Sequence, residues 1–189
     1  MSSPKTSIAY AIDAGSSRFT VQAFASGILS AMGHNPTIGI RDFSGEVTFD
    51  AGALHSDCLR VSIKMNSLSV LDDISDKDRL EIERRMNDQV LEVAKYPEAV
   101  YKGSEVSISP LEDGDYSVVL NGMLNFHGVS SMQSITARVA VSGSILKAAG
   151  GFTLKQSHYG VRPVSVAGGA LRIKDELRFS FEIVARQRE

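Results

Sequence analysis

Tryptophan is absent from the chain, and cysteine occurs once, at Cys58. A lone thiol excludes an internal disulfide and a cysteine-built zinc cage, and it leaves the redox compartment open. Excess charge is missing as well. Twenty Lys and Arg stand against 22 Asp and Glu, for a net charge of −2, and no long basic run offers a footprint for nucleic acid. No uninterrupted apolar stretch is long enough to span a bilayer, so membrane insertion is not expected. Met1 to Tyr10 is polar, carries one lysine and lacks the apolar core of a signal peptide. As it stands the sequence predicts a cytoplasmic protein; a chain trimmed of its leader would read the same and be periplasmic.

What is present is alternation. Phe19, Val21 and Ala23 alternate with Arg18, Thr20 and Gln22. Phe43, Gly45, Val47 and Phe49 do so across Ser44, Glu46 and Thr48, and Leu59, Val61, Ile63 and Met65 across Arg60, Ser62 and Lys64. Near the C-terminus Leu177, Phe179, Phe181 and Ile183 are separated by Arg178, Ser180 and Glu182. A helix would scatter such residues around its surface, whereas a pleated strand puts each set on one face. Turn residues divide the runs at Asn35-Pro36, Asp50-Ala51-Gly52, Asp113-Gly114, Gly150-Gly151 and Gly168-Gly169. About eight strands result, at roughly 18–25, 38–50, 57–66, 98–109, 116–126, 132–146, 151–158 and 170–186. Long strands with one apolar face each are satisfied by a closed antiparallel β-barrel, which removes exposed edges. A two-sheet sandwich is the alternative.

One segment departs from this pattern. Ser75-Asp76-Lys77-Asp78 reads as a helix cap, and Ile82, Met86, Val90 and Val93 follow at helical spacing. Pro97 disfavours helical geometry at Tyr96, so an amphipathic helix of about residues 76–94 is expected across a barrel mouth or flank. No repeat or linker divides the 189 residues, which read as one domain with residues 1–8 a flexible extension.

Several of these segments resemble the YceI-like family of lipocalin-type proteins. Tyr10-Ala-Ile-Asp13 followed by Ser17, Phe19 and Val21 is similar to that family's opening Y-x-I-D…S-x-V-x-F. Asp42 to Asp50 resembles its F-S-G-x-I-x-F-D strand, and Ala94-Lys95-Tyr96-Pro97 the A-K-Y-P after its helix. Gly122 to Val129, with His127-Gly128, resembles G-x-L-T-I-H-G-V; Gly160 and Lys174 to Leu177 also fit. The likeness runs from about Tyr10 to Ala185. Where the family usually has His-Ser after the opening Asp, this chain has Ser16-Ser17, and Gly33-His34-Asn35-Pro36 differs from the commoner form. The resemblance implies an extended eight-stranded lipocalin-like barrel with one helix alongside. It also implies a long apolar ligand in the lumen, an isoprenoid, an isoprenoid quinone or a fatty-acid derivative.

The inward faces then supply a candidate ligand wall. From the first half of the chain it takes Phe19, Val21, Phe43, Val47, Phe49, Val61, Ile63 and Tyr101. From the second half it takes Val118, Leu120, Leu124, Phe126, Val139, Val141, Phe152, Leu154, Phe179 and Phe181. The same residues could simply fill the barrel, whose interior at eight strands is only just wide enough for side chains or one small ligand. Ala23, Gly45, Ala99, Gly122 and Ala137 among the inward positions favour space, and no tryptophan is available to plug it. His158, Tyr159 and Arg162 are candidates to contact a head group near a barrel end.

Catalytic and metal chemistry find little footing. His34, His55, His127 and His158 are far apart and form no H-x-H or H-E-x-x-H spacing. No G-x-S-x-G elbow exists. Asp72, Asp73, Asp76 and Asp78 lack the rest of a calcium loop and read as the solvated start of the helix. No catalytic residue, metal or cofactor is therefore expected, beyond a bound lipid. The expected partner is an apolar small molecule, and a homodimer stays open. Two rival readings remain, an enzyme acting on a lipid inside the barrel and a structural or interaction barrel with a filled core.

Overall fold

The computed structural model describes residues 8–27, 35–49, 59–166 and 171–188. Residues 1–7, His34, His55, Cys58 and the turn residues Asp50-Ala51-Gly52 and Gly168-Gly169 lie outside them. In chain order the strands are β1 (Ile8–Ile12), β2 (Arg18–Gln22), β3 (Ala25–Ser26), β4 (Thr37–Ile40), β5 (Phe43–Phe49), β6 (Leu59–Lys64) and β7 (Leu68–Val70). After the helix α1 (Asp76–Arg85) come β8 (Glu98–Pro110), β9 (Tyr116–Phe126), β10 (Val129–Ser142), β11 (Ile145–Lys155), β12 (Ser165–Val166), β13 (Leu171–Ile173) and β14 (Glu176–Gln187).

Eight of them close a ring, in the order β1-β5-β6-β8-β9-β10-β11-β14 and back to β1, every pairing antiparallel. The barrel alternative holds, and the sandwich does not. Closure depends on the edge of β14 opposite β11 serving two partners. Arg178–Glu182 pairs with β2, and Ala185–Gln187 pairs with β1. Between β1 and β2 the chain makes a 3-10 turn at Ala14–Ser16, capped by the Asp13 carboxylate. There Ser17 Oγ donates to the Asp13 carbonyl at 2.7 Å and accepts from the Val184 amide at 2.9 Å, so a side chain replaces one rung of the ladder. From β2 the sheet continues through β4 to β7, and β12, β13 and β3 form a separate small sheet.

Several boundaries differ from the sequence expectation. Ile8 already belongs to β1, a strand hidden by the alanines at 9 and 11. The run 38–50 is two strands, broken at Arg41-Asp42 so that its halves join different neighbours. Gly150-Gly151 is not a reversal. It lies inside β11, where a Cβ at either glycine would strike a carbonyl of the adjoining strand, Thr136 or Phe179. The reversal falls instead at Gly143, whose φ is +57°.

The helix begins as expected. Ser75 Oγ accepts from the Asp78 amide at 3.1 Å and donates to its carboxylate at 2.7 Å. Regular winding ends at Arg85, and one wide turn, Met86–Val90, completes it short of the expected residue 94. Docking follows the apolar stripe only in its second half, where Met86, Val90 and Val93 pack against apolar clusters. Leu80 and Ile82 are 66% and 39% exposed, while Glu83 accepts from the Val70 amide at 2.8 Å and Arg79 donates to the Val70 carbonyl. Two charged side chains thereby satisfy the outer edge of β7, which would otherwise be a pairing template. Among the described residues no helix is long and apolar enough to cross a membrane.

Candidate functional site

Inside the ring lies a cavity of about 140 Å³. Its wall is built by parity. Phe43, Val47 and Phe49 come from β5, Val61 and Ile63 from β6, Val118, Leu120 and Leu124 from β9, and Val139 from β10. Phe19, Tyr101, Phe152 and Phe181 complete the part of the wall that the sequence indicates, with Ala99 and Ala137 leaving room. Among the described residues, Thr48 and Tyr101 are the only lining residues with a polar side-chain atom. The Tyr101 hydroxyl is committed to the backbone, donating to the Gln133 carbonyl at 3.1 Å. It reaches that carbonyl across Gly122, where a Cβ would collide with the phenol. The space therefore offers no charge and almost no hydrogen bond, and only hydrocarbon can occupy it without losing water contacts.

Five expected wall residues stand outside the cavity. Val21 and Phe179 pack with Ile38, Ile40 and Val70, and Val141 packs around Tyr10 and Ala185. Phe126 and Leu154 pack around Tyr159 and Val161. All five belong to apolar clusters where side chains meet one another rather than open space. Conversely Ile12, Leu59, Val106, Ile108, Ile135, Leu146, Ala148 and Ile183 line the cavity though they were not in the expected wall. The register shift between Gly103 and Glu105 explains two of them. Inward parity is odd at Ala99 and Tyr101 and even at Val106 and Ile108, and alternation alone cannot reveal the switch. Leu146 ends the expected strand 132–146, and Ala148 lies between it and the expected turn at Gly150-Gly151. Ile135 shares parity with Ala137 and Val139 and was legible.

The head-group candidates do not gather on the cavity. His158 and Arg162 are exposed, and Tyr159 is buried with its ring 5.5 Å from Phe126. Burial pushes the Tyr159 phenol up, offset in part by a hydrogen bond with Ser131. The 3-10 turn Gln156–Tyr159 after β11 tucks the Tyr159 ring inward and leaves His158 in solvent. Near it, His127 and Glu92 approach within 3.2 Å. Among the described residues, no three His, Cys, Asp or Glu side chains come together as a metal-ligand set.

A closed antiparallel barrel around an apolar lumen defines a lipocalin-type protein. The chain belongs to the YceI-like family, whose domain description matches residues 10–185. Among curated proteins none matches the sequence. Solved structures with the same fold include BcnA of Burkholderia cenocepacia, with a TM-score of 0.69 at 18% identity over 92% of this chain and 98% of that one. A polyisoprenoid binding domain from Saccharophagus degradans, implicated in plant cell wall breakdown, has a TM-score of 0.69 at 17% identity over 96% and 99%. The Campylobacter jejuni YceI protein has 0.60 at 16% identity over 82% and 87%.

Proposed function

We propose that this protein binds a long apolar molecule in its barrel, an isoprenoid, an isoprenoid quinone or a fatty-acid derivative, and stores or carries it without chemical change. The observation that carries this reading is the cavity wall, which among the described residues is apolar but for Thr48 and one phenol already bonded to backbone. An enzyme acting on a lipid would need an acid, base or nucleophile facing the chain, and Thr48 and Tyr101 supply no such set. Family membership supports the reading, as does the polyisoprenoid-binding relative that shares the fold.

Native mass spectrometry of protein purified from cells, followed by solvent extraction, tests it. A long-chain lipid should accompany the protein at up to one molecule per chain. A clean ligand-free mass, with no uptake of an added prenol, would contradict the proposal.

A further inference from the structure

Two residues other than glycine, among those described, have positive φ: Glu92 at 45° and His127 at 51°. They face each other across a gap between separate segments, with His127 Nε2 lying 3.2 Å from Glu92 Oε2. Each occupies a backbone position that normally takes a different residue. Glu92 follows the helix's capping residue, Leu91, at the left-handed position where helices usually place Gly. His127 precedes Gly128 in the two-residue β9–β10 turn, both at positive φ, where Asn-Gly is the favoured pair. Backbone preference thus argues against both side chains, yet the two meet.

The contact lies at the end of the barrel where β9 turns into β10. His127 is 8% exposed, and its ring lies 4.2 Å from the Tyr96 ring. Its Nδ1 lies 3.3 Å from the Tyr159 carbonyl. Tyr96 also covers Gly128, where a Cβ would strike its ring. One imidazole therefore pins three segments together, the loop after the helix, the β9–β10 turn and the turn ending in Tyr159. Behind it Leu91 packs on Met65 and Ala99, with Val90, Val93 and Phe126 against them. Ala99 itself lines the cavity, so the pinned loop is a single layer of side chains from the lumen. The pin is also incompletely bonded, because among the described residues Nε2 has no partner in hydrogen-bond geometry despite its closeness to the carboxylate. A contact on two unfavourable backbone positions, with one buried nitrogen unsatisfied, is suited to opening.

We propose that the His127–Glu92 contact is a latch on residues 91–97 and sets the rate at which an apolar ligand leaves the barrel by this end. This rests on the carrier reading above. Glu92→Gly and His127→Asn each restore the residue the backbone prefers while removing one half of the contact. Release of the fluorescent polyene cis-parinaric acid is followed by stopped-flow, alongside urea midpoints of the ligand-free proteins. Release should quicken about tenfold or more in each variant, a change of roughly 1.4 kcal/mol in the barrier. The double variant should be no faster than the faster single one, because both break the same contact. The Glu92→Gly midpoint should hold or rise, since the substitution relieves its backbone. Unchanged release in both variants would overturn the latch while leaving the carrier reading intact. Faster release accompanied by a matching fall in the Glu92→Gly midpoint would overturn it too, by showing a merely structural contact. Failure of the wild type to bind the probe at all would overturn the carrier reading, and the latch with it.

Discussion

Tyr101 and Gly122 show how single positions shape the lumen. Tyr101 projects inward from β8, and its phenol crosses β9 to reach the Gln133 carbonyl on β10. Gly122, on the intervening strand, has to lack a side chain for that reach, since a Cβ there would meet both the Tyr101 hydroxyl and the Lys102 carbonyl. The ring is thus tethered and forms a fixed part of the wall. Tyr101→Phe keeps the ring and loses one hydrogen bond, which should lower stability by about 0.5–1.5 kcal/mol. Gly122→Ala should cost more, about 1–3 kcal/mol, because neither the backbone carbonyl nor the tethered ring can give way easily. Urea midpoints of the two variants check the order. A Gly122→Ala protein as stable as wild type would show that the strand can shift and that the tether does not define the wall.

At the scale of elements, barrel closure concentrates at the kink between β1 and β2. Asp13 accepts from the Ser16 amide and hydroxyl at 3.2 and 2.8 Å and pairs with Arg186 of β14 at 2.9 Å. The Arg186 guanidinium first, and the Ser16 hydroxyl second, hold its carboxyl below the usual Asp value. A depressed carboxylate stabilises the fold above the pKa it has when unfolded, and that contribution is lost as pH falls through the folded value. Asp13→Asn should therefore lower the urea midpoint at pH 7, and the gap from wild type should close as pH drops below about 4, the ordinary Asp value. A gap that persists undiminished into acid would show that the charge does not matter and only the cap geometry does.

Much of this level was legible from sequence, for identifiable reasons. β5, β6, β9 and β14 alternate cleanly because each has one face on the interior, and Ser75 announces the helix by its own chemistry. β1 was missed because alanine at 9 and 11 blurs the alternation that Ile8, Tyr10 and Ile12 make. The paired glycines of β11 resemble a turn but serve the close approach of neighbouring strands. Parity identified most of the cavity residues, but it could not say how far along the barrel the space extends, so Val21, Phe126, Val141, Leu154 and Phe179 were included and lie outside it. It failed altogether past the β8 register shift, which leaves no mark in the pattern of apolar residues. The role of Arg79 and Glu83 was hidden as well, because charges that seal a sheet edge look like ordinary helix surface.

For the whole molecule, the size of the empty space limits what binding can be. About 140 Å³ is close to the roughly 150 Å³ of an apolar cavity that takes a benzene-sized guest. Burial of one five-carbon prenyl unit supplies roughly 3–4 kcal/mol, at about 0.8 per methylene, whereas association costs on the order of 4–15. One unit alone does not bind well, so on the proposed reading a ligand of several units would have to extend along the barrel and push aside wall side chains such as Phe19, Phe152 and Phe181. Affinity should consequently climb with prenol length and then level off once the lumen is full.

On the proposed function, the open space inside this barrel is the binding site. The most direct test is the equilibrium affinity of geranylgeraniol for wild type and for Ala148→Phe, which puts a ring into the cavity from β11. Displacing two methylenes of ligand would cost about 1.6 kcal/mol, so the variant should bind about tenfold or more weakly. Its urea midpoint should not fall, because the ring enters vacant space. Equal affinity in a stably folded variant would place the ligand elsewhere and contradict the account.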